Sequence, residues 1–118
     1  MADAQIKRFL LTGKSRLAYY VAVGDVFEAI ATPARRAILD ELVDRDGQTL
    51  FELCARLAMK HQLALTRQAI SQHIEVLVEA GLVTTVRQGK YKLHYLHTEP
   101  LQTIVERWLK TDKKGRRK

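Results

Sequence analysis

Apolar positions recur at helical spacing along most of the chain, and polar residues suited to capping stand at the breaks. Val26, Phe27 and Ile30 share one face behind an Asp25-x-x-Glu28 capping pattern. Thr32-Pro33 restarts the chain, since threonine caps and proline suits the first helical position. The helix that follows is expected to run to about Arg45, with Ile38, Leu39, Leu42 and Val43 as its apolar stripe, before Asp46-Gly47 breaks it. Thr49-x-x-Glu52 is a second capping box, opening a helix with Leu50, Leu53, Cys54 and Leu57 on one side. Residues 59–65 contain no glycine or proline, so a break there is inferred from Thr66, which can cap a further helix through Ala80. Its apolar positions are Ile70, Ile74, Leu77 and Val78, and Gly81 is its natural terminator.

After Gly81 the period changes from 3.6 to 2. Segments 82–87 and 91–96 alternate and are rich in Val, Thr and Tyr, with Gln88-Gly89-Lys90 between them, which predicts a β-hairpin. Thr98-Glu99-Pro100 opens a last helix with the stripe Leu101, Ile104, Val105 and Trp108. The fold class is therefore mainly α with a small hairpin, about five to six helices plus a two-stranded wing. That order is the winged helix-turn-helix arrangement.

The chain's 118 residues make one domain. No apolar run approaches the length of a membrane span, so no membrane partner is expected. A single cysteine excludes an internal disulfide framework and points to a reducing, cytoplasmic compartment. The net charge is +7, but residues 110–118 hold six basic residues against one acid, so five of the seven charges sit in a stretch with nothing to bury. That tail is expected to be disordered, either a plain solvated terminus or a nonspecific polyanion contact. Residues 1–20 carry Lys7, Arg8, Lys14 and Arg16 against Asp3, with Ile6, Phe9, Leu10, Leu17 and Tyr20 at helical spacing. They form an N-terminal extension, readable as an extra helix, before a body at 21–109. A basic amphipathic start also resembles an organelle transit peptide, but no signal-peptide cleavage pattern marks it. Gly13-Lys14-Ser15 ends like a phosphate-binding loop, yet that loop needs a glycine where Arg8 stands.

Gln68, Ser71, Gln72 and Glu75 follow i, i+3, i+4, i+7 spacing, away from Ile70, Ile74 and Leu77. Small and amide side chains on one helix face can enter a major groove and pair with base edges, glutamine favouring adenine. Arg67 at the helix start reaches phosphate or guanine. His73 is read as helix packing or a phosphate contact. Arg87, Lys90 and Lys92 on the hairpin suit a backbone or minor groove. Any one of these is often just a solvated face. Their conjunction points to a double-stranded DNA operator as the partner.

The stretches VFEAIATPARRAILDEL, ELCARL and TRQAISQHIEVLVEAGLVTTVRQGKYKLHYL resemble the ArsR family of bacterial transcriptional regulators, above all SQHIEVLVEAGLV. The resemblance covers about 26–109. It implies a homodimer, mostly repressing transcription, with the base-contact role on Ser71 and its neighbours Gln68 and Gln72 and the wing role on Arg87 and Lys90. Two departures stand out. Glu52 and Ser71 lie further apart than the family's usual gap, so the turn or one of its helices must be longer, and residues 1–20 exceed the family core.

The family's thiolate sensors carry a Cys-x-Cys; here Cys54 has Arg56 at the second position, a poor soft-metal pair. Other members bind zinc through the last helix, which here contains no histidine. His94 and His97 fall on opposite faces of a strand and cannot chelate together; His61 is expected to be solvated. No metal, no cofactor and no catalytic residue is expected, and any small-molecule effector is unassigned. Cys54 reads as a small core hydrophobe, with a thiol redox sensor as the alternative. A protein-interaction module is the alternative of another class, and no enzyme motif appears. The stripes Leu101, Ile104, Val105, Trp108 and Val26, Phe27, Ile30 are the expected dimer interface, unless they cover each other within one chain.

Overall fold

A computed structural model describes residues 26–109. The readings of residues 1–20 and 110–118 lie outside the described residues. A helical turn at 26–29 precedes α1 (Pro33–Asp44), α2 (Leu50–His61), α3 (Arg67–Glu79), the strands β1 (Val83–Gln88) and β2 (Tyr91–Leu96), and α4 (Glu99–Leu109). Among the described residues this makes five helical elements and one two-stranded sheet, the winged helix-turn-helix arrangement.

The helix starts follow local chemistry. The Thr32 hydroxyl accepts from the Arg35 amide with Pro33 at the first position. Thr49 and Glu52 form a full capping box, each side chain accepting from the other's backbone N–H. The Thr66 hydroxyl accepts from the Ala69 amide. The ends are less regular. α3 stops at Glu79, with Ala80 capping it and Gly81 in the left-handed region at φ +81°. α2 ends instead on Gln62, a non-glycine residue at φ 54°, and residues 62–66 connect it to α3. The long Glu52–Ser71 spacing is thus absorbed by a 12-residue helix and this connection.

The core is built from Ile38 and Leu42 of α1, Leu53 and Leu57 of α2, Ile70, Ile74 and Leu77 of α3, and Leu82 and Val83 at the start of the hairpin. One expected core assignment changes. Val43 is 71% exposed, and Glu41 takes the buried place on α1. The carboxylate is tolerated because its Oε2 accepts from Lys60 Nζ at 3.0 Å and His61 Nε2 at 3.1 Å. His61 is therefore half-buried in a pair, not solvated.

The hairpin is antiparallel, in register from Val83 opposite Leu96 to Gln88 opposite Tyr91. Its two-residue loop has Gly89 at φ +63°, the glycine-first pattern of a II′ turn. A bridge between Gln48 and His94 ties the hairpin root to the α1–α2 loop. The His94 amide donates to the Gln48 carbonyl at 2.8 Å, and His94 Nδ1–H donates to the same carbonyl at 2.9 Å. His97 Nδ1–H donates to the Gly81 carbonyl at 2.8 Å. The two histidines thus serve separate backbone contacts.

Candidate nucleic-acid interface

The inward side of α3 is fixed by Ile70, Ile74 and Leu77, all buried. With those positions spent on the core, Arg67, Gln68, Ser71, Gln72 and Glu75 are exposed together on the outer face. His73 departs from this group. It is half-buried and accepts at Nδ1 from an Arg35 guanidinium N–H at 3.1 Å. Burial and the neighbouring Arg35 charge hold its pKa below the usual histidine value. It faces the body of the protein, as the packing half of its sequence reading has it, and not the outer face.

The hairpin rises beside α3. Arg87, Lys90 and Lys92 are exposed, and the register sets Arg87 directly across from Lys92. Like charges opposite each other on paired strands repel. An arrangement that costs energy in the free chain becomes favourable next to a polyanion. Between α3, the start of α2 and the hairpin lies an open groove of about 970 Å³. Arg67, Ser71 and Glu75 line one side and Lys90 and Lys92 the other, with Leu93 among the apolar residues of its wall. Phe51 and Tyr91 also line it and are exposed, a pair of aromatics that sequence periodicity passes over.

Residues 30–86 match a family model described as a helix-turn-helix domain. The chain is 46% identical over 84 residues to the uncharacterised HTH-type transcriptional regulator YuzN of Bacillus subtilis, across 71% of this chain and 91% of that protein. It is 30% identical over 93 residues to the transcriptional repressor SdpR of the same organism, across 79% and 96%. The ArsR-like transcriptional regulator from Rhodococcus sp. RHA1 superposes with a TM-score of 0.68 at 26% identity, covering 86% of each chain. The chain belongs to the ArsR family. It is a transcriptional regulator with a helix-turn-helix DNA-binding domain.

Two further parts of this ArsR-family protein bear on its function. Cys54 is half-buried against the core; burial pushes its thiol pKa up, with the Arg67 charge opposing. No group of three or more His, Cys, Asp or Glu side chains able to hold a metal occurs among the described residues. The apolar residues expected at a dimer face divide into two sets. Val26 is only 3% exposed and belongs to the chain's own core, while Ile30, Leu101 and Ile104 pack partly against it. Phe27, Val105 and Trp108 remain exposed, joined by Leu109. Phe27 and Trp108 touch each other, ring centroids 6.1 Å apart, so the two stripes meet within one chain without covering each other.

No helix among the described residues is long and apolar enough to cross a membrane.

Proposed function

We propose that this ArsR-family regulator is a dimeric repressor that reads double-stranded DNA by sequence, without the family's metal site. The observation that carries the reading is the juxtaposition of an amide-rich exposed face on α3 with a hairpin that opposes Arg87 to Lys92. Gln68, Ser71 and Gln72 face base edges in the major groove, with Glu75 able to accept from a cytosine amino group. Arg67 reaches phosphate or guanine, and Arg87, Lys90 and Lys92 hold phosphates or the minor groove.

The exposed apolar face of Phe27, Val105, Trp108 and Leu109 supports dimerisation. A dimer would read two half-sites about 34 Å apart. Arg56 in place of a second thiolate, a last helix without histidine and a Cys54 thiol raised by burial speak against metal and redox sensing alike.

The test begins with a duplex selected from genomic fragments by the purified chain. Gln72→Ala is expected to cost ~1–3 kcal/mol on that duplex and much less on a scrambled one. Lys90→Ala should weaken both alike and lower the salt slope by about 0.9. If Gln72→Ala and Ser71→Ala leave the selected-to-scrambled ratio unchanged while Lys90→Ala alters it, the roles of helix and wing are wrong. Zinc and arsenite should leave binding unchanged, and light scattering should report a dimer.

A further inference from the structure

Arg35 stands in the first turn of α1, and its guanidinium makes three hydrogen bonds at once. Nε–H donates to the Ala29 carbonyl at 2.7 Å, Nη2 to the Glu28 carbonyl at 3.2 Å and Nη1 to His73 Nδ1 at 3.1 Å. The first two acceptors close the helical turn at 26–29; the Glu28 carbonyl also accepts from the Ala31 amide at 3.1 Å, and carbonyls at such a C-terminal end attract a cation. That turn carries Phe27, and through it the contact with Trp108 of α4. The third acceptor is on α3, the helix whose outer face bears Gln68, Ser71 and Gln72. Arg36 adds a bond to the Ile30 carbonyl at 2.7 Å, so the same segment is held twice. A planar guanidinium fork spanning two elements fixes direction as well as distance.

We propose that Arg35 is a positioning residue for DNA binding, locking α3 to the segment that carries Phe27, and that proton uptake by His73 releases the lock. The inference rests on the reading of α3 as the recognition helix. The chemistry of release is simple. Neutral His73 offers Nδ1 as an acceptor, with its proton on Nε2. The imidazolium has two N–H donors and no acceptor, so protonation turns a hydrogen bond into a contact between two cations. Arg35, from α1, is the charged group acting on the ring; residues 28 and 29 present backbone carbonyls to the same guanidinium, and α2 and the hairpin bring no ionisable group to the ring among the described residues. Burial and Arg35 both disfavour the charged ring, which keeps the lock closed at neutral pH and lets it open in acid.

The test has two arms on the full chain. Without DNA, long-range 1H–15N spectra should show His73 as the Nε2–H tautomer at neutral pH, and Arg35→Met should raise its titration midpoint. An Nδ1–H tautomer, or a midpoint indifferent to Arg35→Met, overturns the lock. With DNA, affinity for the selected duplex is followed from neutral to acidic pH at constant ionic strength. Wild type should lose about tenfold relative to His73→Gln, the scale of one hydrogen bond. The glutamine oxygen accepts from Arg35 at every pH, so this variant should bind close to wild type at neutral pH, whereas His73→Ala should be about tenfold weaker throughout. Identical pH profiles for wild type and His73→Gln overturn the proposal, and this comparison decides the matter if Arg35→Met fails to fold. A chain that selects no duplex refutes the DNA reading and the positioning role with it, while the spectra judge the lock by itself.

Discussion

Replacing Gly47 by alanine should loosen the anchor of the hairpin by about 2 kcal/mol, through two separable causes. Gly47 sits at φ +73°, where an L side chain is strained by roughly 1 kcal/mol. A Cβ placed there would lie 3.0 Å from both Cε2 and Cζ of Tyr95, so the half-buried ring must move by a few tenths of an ångström. Displacing a packed ring from its rotamer costs a further ~0.5–1.5 kcal/mol. Neither cost can be relieved by shifting the backbone freely, because the Gly47 amide donates to the His94 carbonyl at 2.9 Å, beside the Gln48–His94 bridge. Urea unfolding at one fixed protein concentration reads the effect: the midpoint should fall by about 1 M with the slope unchanged. A double-mutant cycle separates the causes. In a Tyr95→Ala background the ring cost vanishes and Gly47→Ala should cost only about 1 kcal/mol, a coupling of about 1 kcal/mol. A cost below ~0.5 kcal/mol, or equal costs in the two backgrounds, would refute the reasoning.

Three other outcomes follow from features of the same fold. Burial pushes the Glu41 carboxyl up, but Lys60 and His61 together draw it below the usual 4.5, so its stabilising share is present above that value and lost as pH falls through the lower folded one. Glu41→Gln should therefore be less stable at pH 7 and show a shallower acid limb; an acid limb identical to wild type would count against this pairing. Cys54 should react with Ellman's reagent at neutral pH at least about tenfold more slowly in the folded chain than in guanidinium, and equal rates would remove the claim that burial raises its pKa. Arg87→Gln should relieve the repulsion with Lys92 and leave stability unchanged or raised by ~0.2–1 kcal/mol while DNA binding weakens, a divergence that thermal melts and binding assays on one preparation would display.

What the sequence made legible was local. Thr32-Pro33, the Thr49–Glu52 box, Thr66, Gly81 and Gly89 each act within a few residues, and each stands where the pattern places it. The change of period at Gly81 likewise predicts the hairpin, with β2 at its expected bounds and β1 shifted by one residue. The misread positions depend on partners far along the chain. Glu41 is buried because of Lys60 and His61, some twenty residues on; a periodicity argument sends a carboxylate outward and gives its place to Val43. His73 packs inward, one of its two sequence readings, but its partner Arg35, 38 positions away, carries no local signal. Val26 is claimed by its own core, leaving Phe27 outside. The end of α2 was hidden for another reason: Gln62 adopts a conformation that glycine usually marks. The aromatic lining of the groove, Phe51 and Tyr91, carries no local signal at all.

The hairpin is bonded to the body at its root and free at its tip. Gln48 clasps His94 halfway along β2, while a side chain added at Gly89 would meet nothing within 4 Å. It is a lever with its fulcrum at His94. A change of side chain at 88–91 alters what the far end touches while leaving the hydrophobic core in place. The inner half of the hairpin is therefore tied into the fold, and the outer half, with the turn at its tip, is not. Descendants of this chain can change the charge and shape of the outer half without refolding the inner one.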